Sequence, residues 1–343
     1  MRIRYEAEDG TLFDYGEDCL EYEKKVGKKV KEPDIRNVSS IREINRRALT
    51  CGHGLVLGVP GSGGHLLVKE EILQVLQETQ EKVLILDETG EFSGLVTGHH
   101  GRILHAKEIK FNPFSKWSSL SLQQMFILEL LAFACGSPDI MRDSFFKRIV
   151  SELLYEKKVS NFKEFYEGLC DYQKEVERCE DEGILLPQVL DGLRIFLAAG
   201  YFPDETEDLD SERLVAFDFS NVQGHSSLHR FYHFLVVGYL SQQIGSLNSF
   251  SRVYLEGNKF SFFSFNLFVY ECRKRGCMVL LTLDSYLYVA TNAFLKCYAE
   301  NCGVIFVLKQ SECDWAHIQE DFRLSKKELS KIRDAKMLSI FLE

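Results

Sequence analysis

Apolar residues along the chain alternate between two textures. Short, nearly unbroken apolar runs stand at 55–57, 83–86, 214–219, 253–255, 278–283 and 304–308. Runs of this length suit strands buried on both faces of a parallel sheet. Between them the spacing turns helical. A helix is predicted over 66–79, and a longer helical tract over 119–200, where Met125, Leu128, Leu130 and Leu131 line one face and further segments fall at 142–156, 161–180 and 188–199. Strand, glycine-rich turn, helix and strand over 54–87 make a βαβ unit, whose natural setting is a parallel sheet covered by helices on both faces. Residues 1–48 show little apolar periodicity and carry the charged run EYEKKVGKKVKE at 21–32. The predicted organisation is a charged N-terminal arm at 1–48, one α/β domain at 49–116 and 201–343, and an all-helical insertion at 117–200. An acidic loop, PDETEDLDSE, closes that insertion.

Composition narrows the class. With 343 residues, 45% of them hydrophobic and 27% charged, the chain has room for about two domains with ordinary cores. Collagen, a disordered tail and a small disulfide scaffold are excluded. A formal charge of −10 argues against a surface that grips nucleic acid as a whole. The ten cysteines form no CxxC pair, so free thiols in a reducing compartment are the simpler reading. The first residues, MRIRYEAEDG, are charged where a signal peptide is apolar, and no run approaches the ~20 apolar residues of a membrane span. The expected location is the cytoplasm, with the inner face of the membrane as a neighbouring surface.

The most informative stretch is Gly58-Val59-Pro60-Gly61-Ser62-Gly63-Gly64-His65. It fits the phosphate-loop pattern GxxxxGK[ST] at both glycine anchors and departs from it at the last two positions, where Gly64 replaces lysine and His65 replaces serine or threonine. The lysine neutralises β- and γ-phosphate charge, and the hydroxyl is a ligand of the bridging magnesium. What remains is a backbone nest at a helix N-terminus, which still favours an anion. A plain strand-to-helix turn is the simplest alternative. A dinucleotide fingerprint is disfavoured, because Leu66 stands where the third glycine of GxGxxG belongs.

These residues resemble the P-loop ATPases of conjugative type IV secretion systems, the TraC/TrbE/VirB-type group, over roughly residues 51–343. The resemblance rests on Gly54-Leu55-Val56-Leu57-Gly58 with the loop after it, on Asp87-Glu88-Thr89-Gly90-Glu91-Phe92 after the next strand, and on Asn112-Pro113-Phe114. It implies a RecA/AAA-like P-loop NTPase fold, a mostly parallel sheet flanked by helices with an all-helical insertion. It further implies a strand ending in Asp-Glu; here Arg252-Val253-Tyr254-Leu255-Glu256 keeps the glutamate and carries Leu255 at the aspartate position. Arg273-Lys274-Arg275-Gly276 is similar to a family run whose arginines reach a neighbouring subunit's nucleotide, and Leu283 replaces a family glutamine. The family's substantial N-terminal domain has only residues 1–48 in its place, so the resemblance covers the motor domain.

The resemblance therefore implies weak ATP binding at Gly58, Pro60, Gly61, Ser62, Gly63, Gly64, His65, Asp87, Glu88, Glu91 and Arg273, with Glu256 as the catalytic candidate and the Mg2+ site compromised. Glu256 as an ordinary strand-end carboxylate is equally open. The implied partners are subunits of a conjugation or secretion apparatus or an active ATPase relative, in a homo-oligomer or a mixed ring, with peripheral membrane association, and direct nucleic-acid binding is left open. Three functions follow: a pseudo-ATPase assembly subunit, a slow genuine ATP hydrolase that borrows Arg273 or Arg275 from a neighbour, and a decayed remnant.

Other patterns have plainer readings. His225, His229 and His233 are spaced to share a helix face, but no acidic partner follows as in HExxH, so a solvated or interfacial stripe is favoured over a zinc site. His99 and His100 read as loop polar groups. The pairs Cys272/Cys277 and Cys297/Cys302 suit neither a helix face nor a zinc knuckle. Phe260 to Phe265 reads as helix core, and the basic residues Lys326, Lys327, Lys331, Arg333 and Lys336 as a solvated helix face.

Overall fold

The computed structural model describes residues 51–115, 119–176, 184–209, 211–222, 226–243, 251–257 and 263–322, with the shorter stretches 5–6, 12–13, 34–37, 44–49, 329–330 and 338–341 and the single positions 41, 117, 326 and 333. The expectations for His225, for Phe260 to Phe262 and for Lys327, Lys331 and Lys336 lie outside the described residues.

The strands are β1 (Tyr5–Glu6), β2 (Leu12–Phe13), β3 (Asp34–Asn37), β4 (Gly54–Leu57), β5 (Lys82–Asp87), β6 (Arg102–His105), β7 (Leu214–Asp218), β8 (Ser251–Glu256), β9 (Met278–Leu283), β10 (Val304–Val307) and β11 (Leu338–Phe341). β1 and β2 pair as a separate ribbon, and the rest form one sheet in the order β3-β11-β10-β4-β9-β8-β5-β7-β6. From β10 to β6 every pairing is parallel. β11 and β3 add to one edge antiparallel. β9 separates β4 from β8, so the glycine-rich loop and Glu256 leave the same end of the sheet one strand apart.

The helices are α1 (Gly64–Glu78), α2 (Ser93–Gly98), α3 (Leu120–Cys135), α4 (Ser144–Ser151), α5 (Phe162–Val176), α6 (Leu186–Ala199), α7 (Ser226–Gln243), α8 (Phe263–Lys274), α9 (Leu287–Thr291), α10 (Ala293–Glu300) and α11 (Glu312–Asp321). Side chains that alternate along each strand serve two cores. On one face Val56, Ile85, Tyr254 and Leu280 pack with Leu67, Val68, Ile72 and Val75 of α1. On the other, Leu55, Leu86, Leu255 and Leu281 share a larger core with α3 to α8. The helices between β6 and β7 are therefore continuous with the sheet's own core. Asn112 ties their ends together: its side-chain amide donates to the carbonyls of Ser160 (3.0 Å) and Asp204 (2.8 Å), and its Oδ1 accepts from Phe114 N.

The reading of 1–48 as an arm needs correction. β3 pairs with β11, Ile41 is buried in the α1-side core, and Arg46 is 1% exposed. Arg46 donates to Glu71 and to the carbonyl of Gly52, and Arg252 reaches Glu71 and Glu81. The charged run at 21–32 lies outside the described residues, whereas Arg46, from the same segment, belongs to a buried ionic network. Cys272, Cys277 and Cys302 are buried thiols, and Phe265 is fully buried.

Candidate functional site

β4 is four apolar residues buried on both sides, and the chain must turn sharply after it to return as α1. Gly61 (φ +78°) and Gly63 (φ +98°) make that turn in the left-handed region, where a side chain is strained. A Cβ at either position would meet nothing within 4 Å, so conformation rather than crowding calls for glycine. Gly58 N donates to Leu283 O and Val59 N to Lys309 O, which pins the loop to the ends of β9 and β10. The first amides of α1, from Gly64 and His65, have no carbonyl of their own helix to meet and face outward as an anion cradle.

The loop borders a cleft of about 580 Å³ lined by Gly58, Pro60, Gly61, Ser62, Gly63, Gly64 and His65, together with Glu88, Glu91, Glu256, Gly257, Thr282 and Asp284. The predicted loop residues, Glu88, Glu91 and Glu256 are thus brought together. Its charge is inverted relative to an ordinary phosphate site: among the described residues four carboxylates line it, and no lysine or arginine does.

His65 organises the centre of this cleft. Its Nδ1 lies 2.8 Å from Glu91 Oε2, and its Nε2 contacts Glu256 Oε1. The hydrogen bond to Glu256, more than burial opposes it, raises the His65 pKa above its ordinary 6.5. An imidazolium donates from both nitrogens, so the two carboxylates together select the charged form. Glu256 Oε2 also accepts from Glu88 N at 3.0 Å, fixing the end of β8 to the end of β5.

Strand alternation decides which face Leu255 takes. Its side chain is 2% exposed and belongs to the core on the face away from α1, whereas Tyr254 and Glu256 point toward α1. The acid that reaches the phosphate loop is Glu256, and position 255 is a core position.

Two other predicted site residues do not line the cleft. Asp87 is fully buried, and its carboxylate accepts from Gly90 N (2.8 Å), Phe92 N (2.9 Å) and Thr89 N (3.2 Å). It shapes the turn that presents Glu88 and Glu91. Burial raises its pKa against the pull of those amides. Arg273, at the C-terminal end of α8, bonds Asn301 ahead of β10, at the end of the sheet opposite the loop. It cannot reach the cleft of its own chain.

The sequence reading missed Glu88 with His229 and His233. Glu88 leaves β5 on the face opposite Asp87 and meets α7, where His229 Nε2 lies 2.7 Å from Glu88 Oε2 and His233 Nε2 contacts Oε1. Burial pushes the Glu88 carboxyl up, but the two histidines outweigh it and bring its pKa to about 2. His229 and His233 are 7% and 0% exposed, which overturns their reading as a solvated stripe. The four-residue spacing was the available signal; the acidic partner comes from another element and has no local signature.

No protein-family model matches the chain, and no curated protein matches it. Solved structures do. VirB4 of Thermoanaerobacter pseudethanolicus aligns with a TM-score of 0.65 at 15% identity, covering 99% of this chain and 96% of that one. The plasmid coupling protein TrwB with the non-hydrolysable GTP analogue GDPNP aligns at 0.58 and 14%, covering 94% and 92%. TrwB with ADP and Mg2+ aligns at 0.56 and 13%, covering 86% and 85%. At such identities the likeness establishes the fold: a mostly parallel sheet with flanking helices, of the P-loop NTPase type seen in VirB4 and TrwB. Among the described residues no helix is long and apolar enough to cross a membrane.

Proposed function

We propose that this chain is a conjugation or type IV secretion ATPase-like subunit that keeps the phosphate loop but does not turn nucleotide over, and that serves in assembly with other subunits of such an apparatus. The observation that carries this reading is the contact of His65 with both Glu91 and Glu256 beside a glycine at position 64.

In a working phosphate loop a lysine and a metal supply positive charge where phosphate charge develops. Here the lysine position is Gly64, and the imidazole of His65 fills the space between the carboxylates that a magnesium ion would need. Its charge is already spent on Glu91 and Glu256. A polyphosphate fits the backbone cradle of Gly61, Gly63 and Gly64, and TrwB, which shares the fold, binds ADP with Mg2+ and nucleotide analogues. Magnesium does not fit the donor set, because His65 offers no oxygen and engages the nearest acids. Each missing transition-state contact is commonly worth ~3 kcal/mol or more, so two together put hydrolysis near background.

Calorimetric titration with ATP and a non-hydrolysable analogue, with and without Mg2+, tests the reading alongside phosphate release. Weak binding that magnesium does not improve, with no release, is expected. Magnesium-dependent release above background overturns it in favour of a genuine slow hydrolase, with Glu256 polarising water and Arg273 or Arg275 supplied by a neighbouring subunit.

A further inference from the structure

Glu88, His229 and His233 converge from two elements, the end of β5 and α7. The single ligand atoms that each residue offers all lie within 4.8 Å of one another, and all three residues are buried. The imidazole rings stand 4.9 Å apart at 75°, and Phe219 stacks on His233 at 4.2 Å, which holds the ring in place. Both histidines present the same nitrogen, Nε2, to one carboxylate. His229 Nε2, although 2.7 Å from Glu88, lies off the line of a hydrogen bond to it.

An ion pair needs one imidazolium per carboxylate, and a second buried imidazolium is costly. Two neutral imidazoles and one carboxylate, by contrast, form a ligand set that suits borderline divalent metals and leaves a coordination position open. On the cleft side of Glu88 the chain is bare backbone: Gly257 (φ +93°) would place a Cβ 2.9 Å from Glu88 Oε1. Glu88 and Gly257 both line the cleft.

We propose that Glu88, His229 and His233 bind a divalent first-row transition metal, with Zn2+ as the reference ion, on the wall of the glycine-loop cleft. The ion joins the end of β5 to α7 and adds two positive charges to a cleft wall otherwise lined by carboxylates. Mg2+ is not its occupant, because magnesium prefers oxygen ligands. The site is independent of any nucleotide turnover.

The test uses the full chain, stripped with chelator and alkylated at the exposed Cys297 and Cys313 to remove thiol ligands. Zn2+ is titrated calorimetrically, with Co2+ as the optical probe. One equivalent is expected, with visible d–d absorption from Co2+, a melting temperature that rises with Zn2+, and no competition from Mg2+. Glu88→Gln and His229→Gln should each lower Zn2+ affinity roughly 100-fold or more, beyond the loss typical of an outer-shell partner. Absence of Zn2+ binding by the folded wild-type chain, or binding that survives either substitution, overturns the proposal. X-ray absorption of the Zn2+-loaded wild type keeps it falsifiable where a variant fails to fold: a nitrogen and oxygen shell with two imidazoles supports the site, and sulfur in the shell overturns it.

Discussion

His65 at the start of α1 contacts Glu256 at the end of β8 through Nε2 and Oε1, so the helix that follows the phosphate loop is tied directly to the strand-end acid. That contact sets a pH dependence. Glu256 raises the His65 pKa above 6.5 in the folded chain. A raised imidazole contributes stability that is fully present below its unfolded pKa and is lost as pH rises through the folded value. The stability difference between the wild type and His65→Gln should therefore shrink as pH increases above about 6.5. Because His65 is about one-third exposed, solvent screening keeps the difference to about 1 kcal/mol or less. Urea midpoints of both chains between pH 5.5 and 9 measure it, and a pH-independent difference would remove the imidazolium from the argument.

Restoring the cleft's charge should restore nucleotide affinity. A Cβ at Gly64 meets nothing closer than 3.6 Å, so Gly64→Lys is sterically admissible. His65→Ser frees Glu256 and returns a hydroxyl. The double variant should bind ATP with Mg2+ about tenfold or more tightly than the wild type, the worth of one charge-assisted hydrogen bond. Calorimetry decides, and an unchanged affinity would mean the loop is not a phosphate site. Adding Leu255→Asp, the repair that the motif alone recommends, should instead cost several kcal/mol of stability, roughly 3 or more, by burying a carboxylate in the apolar core.

The glycine turn offers a second, purely conformational test. Gly63→Ala has open space but keeps φ at +98°, so the variant should lose about 1–2 kcal/mol. Thermal melts measure the loss, and an unaffected melting temperature would show that the loop adopts another conformation.

The limits of the sequence reading follow from where its signals lie. The strands at 83–86 and 278–283 were legible because parallel strands buried on both faces are uniformly apolar, and the structure places them at Lys82–Asp87 and Met278–Leu283. The phosphate loop was legible because its glycines are adjacent in sequence. Read linearly, the motif sets Leu255 at the aspartate position, whereas period-two alternation puts Tyr254 and Glu256 on the face toward α1 and Leu255 in the opposite core. β3 and β11 were invisible: each is four residues long, β11 is held between β10 and β3, and β3 pairs with β11, rather than either standing on its own pattern. Glu88 and the α7 histidines lie some 140 residues apart in sequence, so the fold alone makes them neighbours.

Arg46 shows the same point energetically. It lies in a charged stretch, yet its guanidinium is 1% exposed and donates from Nε to Glu71 Oε1 at 2.9 Å, while other donors reach the carbonyls of Gly52 and Val279. Arg252 shares Glu71 and extends the network to Glu81, which also pairs with Arg47. Removing Arg46 leaves Glu71 paired with Arg252 and takes the side-chain donor from the buried carbonyl of Gly52, so Arg46→Met should cost about 1–3 kcal/mol. Replacing Glu71 alone with Gln takes the acid from the buried Arg46, while Arg252 keeps Glu81, and should cost about 3–5 kcal/mol. The double variant Arg46→Met, Glu71→Gln should cost less than the sum, because Arg46→Met removes the guanidinium that Glu71→Gln leaves without its acid. Denaturant unfolding of the two single variants and the double variant measures the coupling. Strictly additive losses would show that Arg46 acts through its backbone carbonyl contacts rather than through Glu71.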